Sequence, residues 1–135
     1  MIIREATIGD IIYCITNRRP GDLAEAEARG IRVESVRIKD VVGWCSIIAD
    51  DGTVCGLGYI KGGNTVCFML TDNINSHRIE FLKWALSYRR YLKMTLGEIR
   101  GDVYTENKQY VRFLEWMGAR FSPSPCGDKF KRFTI

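Results

Sequence analysis

The chain has 135 residues, 46% hydrophobic and 27% charged, a globular profile that excludes extended disorder and predicts one α/β domain, residues 1–135. No apolar run is long enough to span a bilayer, and Met1-Ile2-Ile3-Arg4-Glu5 lacks the basic start and apolar core of a leader, so no membrane partner and a cytoplasmic site of synthesis are expected. The net charge of +4 suits an anionic ligand, but Arg18-Arg19, Arg89-Arg90 and Lys129, Lys131 and Arg132 are scattered and read as solvated surface, with no nucleic-acid motif.

Ile2 to Ala6 reads as a first strand, and Thr7 before Gly9-Asp10 starts a helix through Ile11–Ile15. Pro20-Gly21-Asp22 breaks that segment. Asp22 is placed as the cap of a second helix, Leu23 to Arg29, which Gly30 ends. Ile31 to Lys39 is ambiguous and is assigned a short helix. Strands follow at Trp44–Ala49, Thr53–Ile60 and Thr65–Leu70, separated by the turns Asp50-Asp51-Gly52 and Gly62-Gly63-Asn64. The third is a continuous apolar run, as a central strand requires.

From Ser76 to about Lys93 the period becomes helical, with Phe81, Leu82, Ala85, Leu86, Tyr88 and Leu92 apolar. Ile99–Tyr104 is a strand, predicted parallel to Thr65–Leu70 because one helix joins them. Asn107 opens a last amphipathic helix that Gly118 ends. Phe121 starts a strand, Pro123 and Pro125 mark a loop, and Phe130–Ile135 closes the chain. Trp44 and Trp116 are expected in the core.

The five cysteines, Cys14, Cys45, Cys55, Cys67 and Cys126, show no C-x-x-C spacing and read as free thiols. With His77 as the one histidine, no metal site is predicted. The informative junction follows Leu70, where a central strand runs into Thr71–Asn75 and a helix N-terminus at Ser76-His77-Arg78. Free backbone N–H groups and the helix dipole suit an anion there, with Arg78 adding a charge-assisted contact. An ordinary helix capped by Asn75 or Ser76 has the same residues.

The element order β-α-α-β-β-β-α-β-α-β-β, the opening Ile3-Arg4-Glu5-Ala6-Thr7-Ile8-Gly9-Asp10-Ile11 and the closing Asn107–Phe121 stretch resemble the GNAT superfamily of N-acetyltransferases. The chain is also similar to a small family of tailed-phage proteins with a GNAT-like fold, which includes an internal virion protein of short-tailed coliphages. Asp22–Ile31, Phe68–Thr71, Asn107, Val111-Arg112-Phe113-Leu114 and Gly118-Ala119 carry that likeness.

The resemblance implies a mixed sheet whose central parallel strands splay to hold acetyl-CoA. Cofactor contacts are then expected from Leu70, Asn73, Asn75, Ser76, His77, Arg78 and Asn107. The superfamily's phosphate loop reads Q/R-x-x-G-x-G/A. Here Asn73, Ser76 and Arg78 stand at its conserved positions, so the loop is degenerate. Counting seven residues from Asn107, to the superfamily's acid tyrosine, reaches Leu114. Tyr110, one turn earlier, is the substitute acid, and Asp72 is the nearest carboxylate for a base.

Two readings stay open. In one, an acyl-CoA-dependent N-acyltransferase uses a coenzyme A thioester and an amine acceptor. In the other, a catalytically inactive phage protein keeps the fold for assembly, for packaging in the virion or for binding a phage or host protein.

Overall fold

The computed structural model of the chain describes residues 1–31 and 43–135. The short helix assigned to Ile31–Lys39 therefore falls largely outside the described residues. The predicted element order is observed otherwise. It comprises strands β1 (Ile2–Glu5), β2 (Cys45–Ile48), β3 (Val54–Lys61), β4 (Thr65–Leu70), β5 (Arg100–Tyr104), β6 (Arg120–Pro123) and β7 (Phe130–Thr134). The helices are α1 (Ile8–Thr16), α2 (Pro20–Ala28), α3 (Arg78–Leu96) and α4 (Lys108–Trp116).

The strands form one mixed sheet in the order β1-β2-β3-β4-β5-β7-β6. Strand side chains alternate between its faces. Leu57 of β3 packs with Ile11 and Cys14 of α1 on one face. A bulge where β3 pairs with Ile47 and Ile48 shifts the alternation, so Cys55, two residues before Leu57, joins Leu70 and Phe81 of α3 on the other face, where Val66, Leu92, Val103 and Leu114 continue the core. Each such side chain contributes about 1.5–3 kcal/mol when fully buried.

The pairing at the centre of the sheet is uneven. β4 pairs with β3 along its whole length, and β5 pairs with β7 likewise. Between β4 and β5, among the described residues, one parallel pair is formed, Thr65 with Arg100. Each strand follows its fully paired neighbour, so the two diverge beyond that point and open a V. The close approach at its base needs Gly101, where a Cβ would lie 2.7 Å from the Val66 carbonyl oxygen and 2.5 Å from the Phe133 ring.

Thr7 caps α1 in a capping box with Asp10, as the sequence suggests. Two helix starts differ from expectation. α2 begins at Pro20, with Arg19 as N-cap, so Asp22 is not the cap but lies inside the first turn. Proline suits a first helical position because its missing N–H has no partner to lose there. Before α3 the chain makes a 3₁₀ turn, Asp72–Asn75, and the N-cap is His77 rather than Asn75 or Ser76. No helix among the described residues is long and apolar enough to cross a membrane.

Candidate functional site

The V between β4 and β5 is closed at its β4 side by the first turn of α2. Thr71 donates its backbone N–H to Cys55 on β3, so the Leu70 peptide groups face the other way, into the V. Both are engaged by the chain itself. The Leu70 N–H donates to Asp22 Oδ2 at 3.1 Å, and the Leu70 carbonyl accepts the Arg19 N–H at 3.1 Å.

Asn107, at the start of α4, donates its Nδ2 to Asp22 Oδ1 at 3.2 Å. Gly21 lets the turn come this close, since a Cβ there would lie 2.4 Å from Asn107 Oδ1. The far end of α2 is held to the other arm. Arg29 donates to the Asp102 carbonyl of β5 at 2.7 Å and lies 4.6 Å over the Phe130 ring. Thus α2 bridges the V from β4 to β5.

Burial pushes the Asp22 carboxyl up to about 6, against the Leu70 N–H, Arg19 and Asn107, which favour its charge. Tyr110 lies beside it. Burial, reinforced by the Glu25 and Asp22 carboxylates, pushes its phenol well above the ordinary value, so it stays protonated.

Cavities lie on both sides of this closure. On the α1–α2 face, a cavity of about 260 Å³ has an apolar floor that includes Leu57, Met69 and Phe133, with Arg18, Asp22 and Glu25 among its polar lining. On the α3–α4 face, a cleft of about 480 Å³ is lined by Arg19, Arg78 and Arg112 together with Gln109, Phe113 and Trp116. Among the described residues, no carboxylate lines that cleft and none of its three arginines forms an ion pair. Tyr110 lines both cavities.

The residues singled out in the sequence are only partly brought together. Leu70, Asn107 and Tyr110 meet at the closure, and Asn75 and Arg78 line the cleft. Asn73 turns away and donates its Nδ2 to the Tyr13 hydroxyl at 2.8 Å and the Val54 carbonyl at 2.9 Å. Ser76 and His77 donate their backbone N–H groups to the Asn73 and Ile74 carbonyls, so these two donors are consumed by the 3₁₀ turn. The His77 ring lies 3.4 Å from Asp51 and 3.3 Å from Glu80. Asp72 is exposed on the 3₁₀ turn and lines neither cavity. Leu114 is buried in the core beneath α4.

Sequence reasoning missed Asp22, Arg19 and Arg112 as site residues. The arginine pair Arg18-Arg19, read as solvated surface, is partly buried with one member in each cavity. Trp116, expected in the core, is 48% exposed at the cleft. Pro20 was the available signal: placed at the first helical position, it sets Asp22 in the first turn of α2.

In the pose the resemblance implies for coenzyme A, the Leu70 N–H is held by Asp22 and the N–H groups of Ser76 and His77 are spent on the 3₁₀ turn, while those of Arg78, Ile79 and Glu80 open α3 without an intrahelical partner. Among the described residues, no cluster of three His, Cys, Asp or Glu side chains suits a metal ion.

A mixed sheet that parts between two central parallel strands, with α1 on one face and α3 and α4 on the other, is the GNAT acetyltransferase fold. Solved structures of that fold superpose over nearly the whole chain. One is a chimeric spermidine N-acetyltransferase from Vibrio cholerae and hSSAT, with a TM-score of 0.62 at 13% identity, covering 100% of this chain and 96% of that one. A GNAT-family acetyltransferase from Bacillus anthracis gives a TM-score of 0.60 at 16% identity, covering 98% and 90%. Another from Listeria monocytogenes gives 0.56 at 12% identity, covering 99% and 93%.

Within that fold the chain belongs to the family described as "Bacteriophage T7, probable scaffold protein Gp13", whose profile matches residues 45–124. No curated protein sequence matches the chain.

Proposed function

We propose that residues 1–135 act as one domain in phage particle assembly, as a protein-binding scaffold component that keeps the acetyltransferase fold without acyl transfer. Its place of action is the cytoplasm of a bacterial host, with packaging into the virion as the end point. One observation carries this reading: the N-cap Arg19 and the first-turn Asp22 of α2 take both peptide groups of Leu70, where the splayed strand of an acyltransferase must leave a donor for the thioester carbonyl. Leu114 in the core and the exposed, remote Asp72 support it, because neither supplies a proton-transfer group to the V. The scaffold description of the family agrees with it.

A second reading is favoured by the arginine-lined cleft and the protonated Tyr110 phenol. In it the chain is an acetyl-CoA-dependent N-acyltransferase, and Asp22 leaves Leu70 when the thioester enters. The two readings separate in one assay: acetyl-CoA is incubated with the protein and a panel of amines that includes spermidine, and free thiol and acetylated amine are measured. The assembly reading predicts no thiol release above the amine-only rate. Amine-dependent turnover that is lost in Tyr110→Phe would overturn it.

A further inference from the structure

We infer that the arginine-lined cleft between α3 and α4 docks an acidic peptide segment of a partner protein. The inference rests on the assembly reading. Arg19 comes from the turn before α2, Arg78 from the first turn of α3 and Arg112 from α4, so three separate elements converge on one cleft. Guanidinium groups hold carboxylates through paired hydrogen bonds. The N-terminus of α3, where the His77 ring makes no capping hydrogen bond and turns instead to Glu80 and Asp51, opens on the same side.

One feature counts against a dinucleotide-like ligand. Of the backbone donors at this turn, Ser76 and His77 have spent their N–H groups on the 3₁₀ turn, which leaves the guanidinium groups as the main anion contacts.

The apolar elements suit a protein partner. Trp116 is 48% exposed beside Phe113, and Ile79 is 73% exposed one turn from Leu82, which also lines the cleft. Exposed tryptophan and arginine together are the residue types that carry most binding energy at protein interfaces. The occupant is therefore an extended or helical segment rich in Asp and Glu with one aromatic or aliphatic anchor.

The test uses the full chain and three fluorescein-labelled synthetic peptides of equal length, each with a single Phe: one of Asp and Glu, one of Gln and one of Lys. Fluorescence anisotropy reads binding, and intrinsic emission, compared with Trp116→Phe, reports the site. The acidic peptide is expected to bind at least about tenfold more tightly than the Gln peptide, to weaken as salt rises, and to quench Trp116. Arg112→Glu and Arg78→Glu, at exposed positions, are each expected to lower its affinity about tenfold or more with the circular dichroism unchanged.

Equal binding of the acidic and Gln peptides, or undiminished binding by both arginine variants, would overturn the inference. Displacement of the acidic peptide by stoichiometric coenzyme A would also overturn it, by assigning the cleft to a cofactor. Failure of peptide binding without amine-dependent turnover removes this inference alone. Turnover removes the assembly reading as well.

Discussion

Asp22 and Asp10 are both partly enclosed carboxylates, and their surroundings push them in opposite directions. Around Asp22 the balance favours the neutral acid, and its carboxyl titrates near 6 instead of the ordinary 3.8. Between about pH 4 and pH 6 the folded protein then binds more protons than the unfolded chain. Stability from this group is complete below pH 4 and is lost as pH rises through 6, a cost of at most about 3 kcal/mol at neutral pH.

The substitution Asp22→Asn keeps both hydrogen bonds within reach. The amide oxygen takes the Leu70 N–H, and the amide nitrogen is offered to the Asn107 oxygen. The variant is therefore expected to raise Tm by several degrees at pH 7 and to leave it unchanged near pH 4, read by calorimetry at the two pH values. A lower Tm at pH 7 would mean that the charge itself holds the closure.

At the scale of elements, Asp10 shows how the chain fixes its first strand to its first helix. Burial opposes its charge. Arg4 donates to it at 2.6 and 3.2 Å, and the Thr7 N–H at 2.9 Å and the buried Ser46 hydroxyl at 2.8 Å join in, holding its carboxyl well below the ordinary range. One side chain thus caps α1 and ties it to β1 and β2. Asp10→Ala is expected to cost about 2–4 kcal/mol at pH 7, since it removes the carboxylate half of the capping box, leaves Thr7 as the N-cap and strands the Ser46 hydroxyl.

The sign for Asp10 is opposite to that for Asp22. Its contribution is present above the ordinary value of 3.8 and is lost as pH falls below it, so urea titrations of wild type and variant should converge at low pH. A gap independent of pH would show that packing, not the charge, is what Asp10 supplies.

The elements themselves were largely legible in the sequence. The apolar runs of β2–β4 between their turns, the helical period of α3 and α4, and the Thr7–Asp10 cap are local signals. The start of α2 was misplaced because Pro20-Gly21 reads equally as a break and as a first turn. Only the packing of Gly21 against Asn107 decides between them.

At the scale of the whole molecule, the V itself was expected from the resemblance to the GNAT superfamily, and, among the described residues, the one parallel pair between β4 and β5 agrees with it. Its closure was not expected. Asp22 and Leu70 are 48 residues apart, and Asp22 and Asn107 are 85 apart. No local pattern records such a meeting. The same holds for the cleft, where Arg19, Arg78 and Arg112 converge from elements that no single stretch of sequence joins. What the fold adds is a bar, α2, laid across the opening and anchored at Leu70, Asn107 and Asp102.

The most direct test of that closure follows the Leu70 amide by NMR while acetyl-CoA is titrated into wild type and Asp22→Ala. If the chain occupies its own thioester position, the wild-type Leu70 amide is protected from exchange and its chemical shift stays fixed at saturating cofactor, while in Asp22→Ala protection is lost. A saturable shift of the wild-type Leu70 amide would show that the thioester displaces Asp22, and would contradict the account.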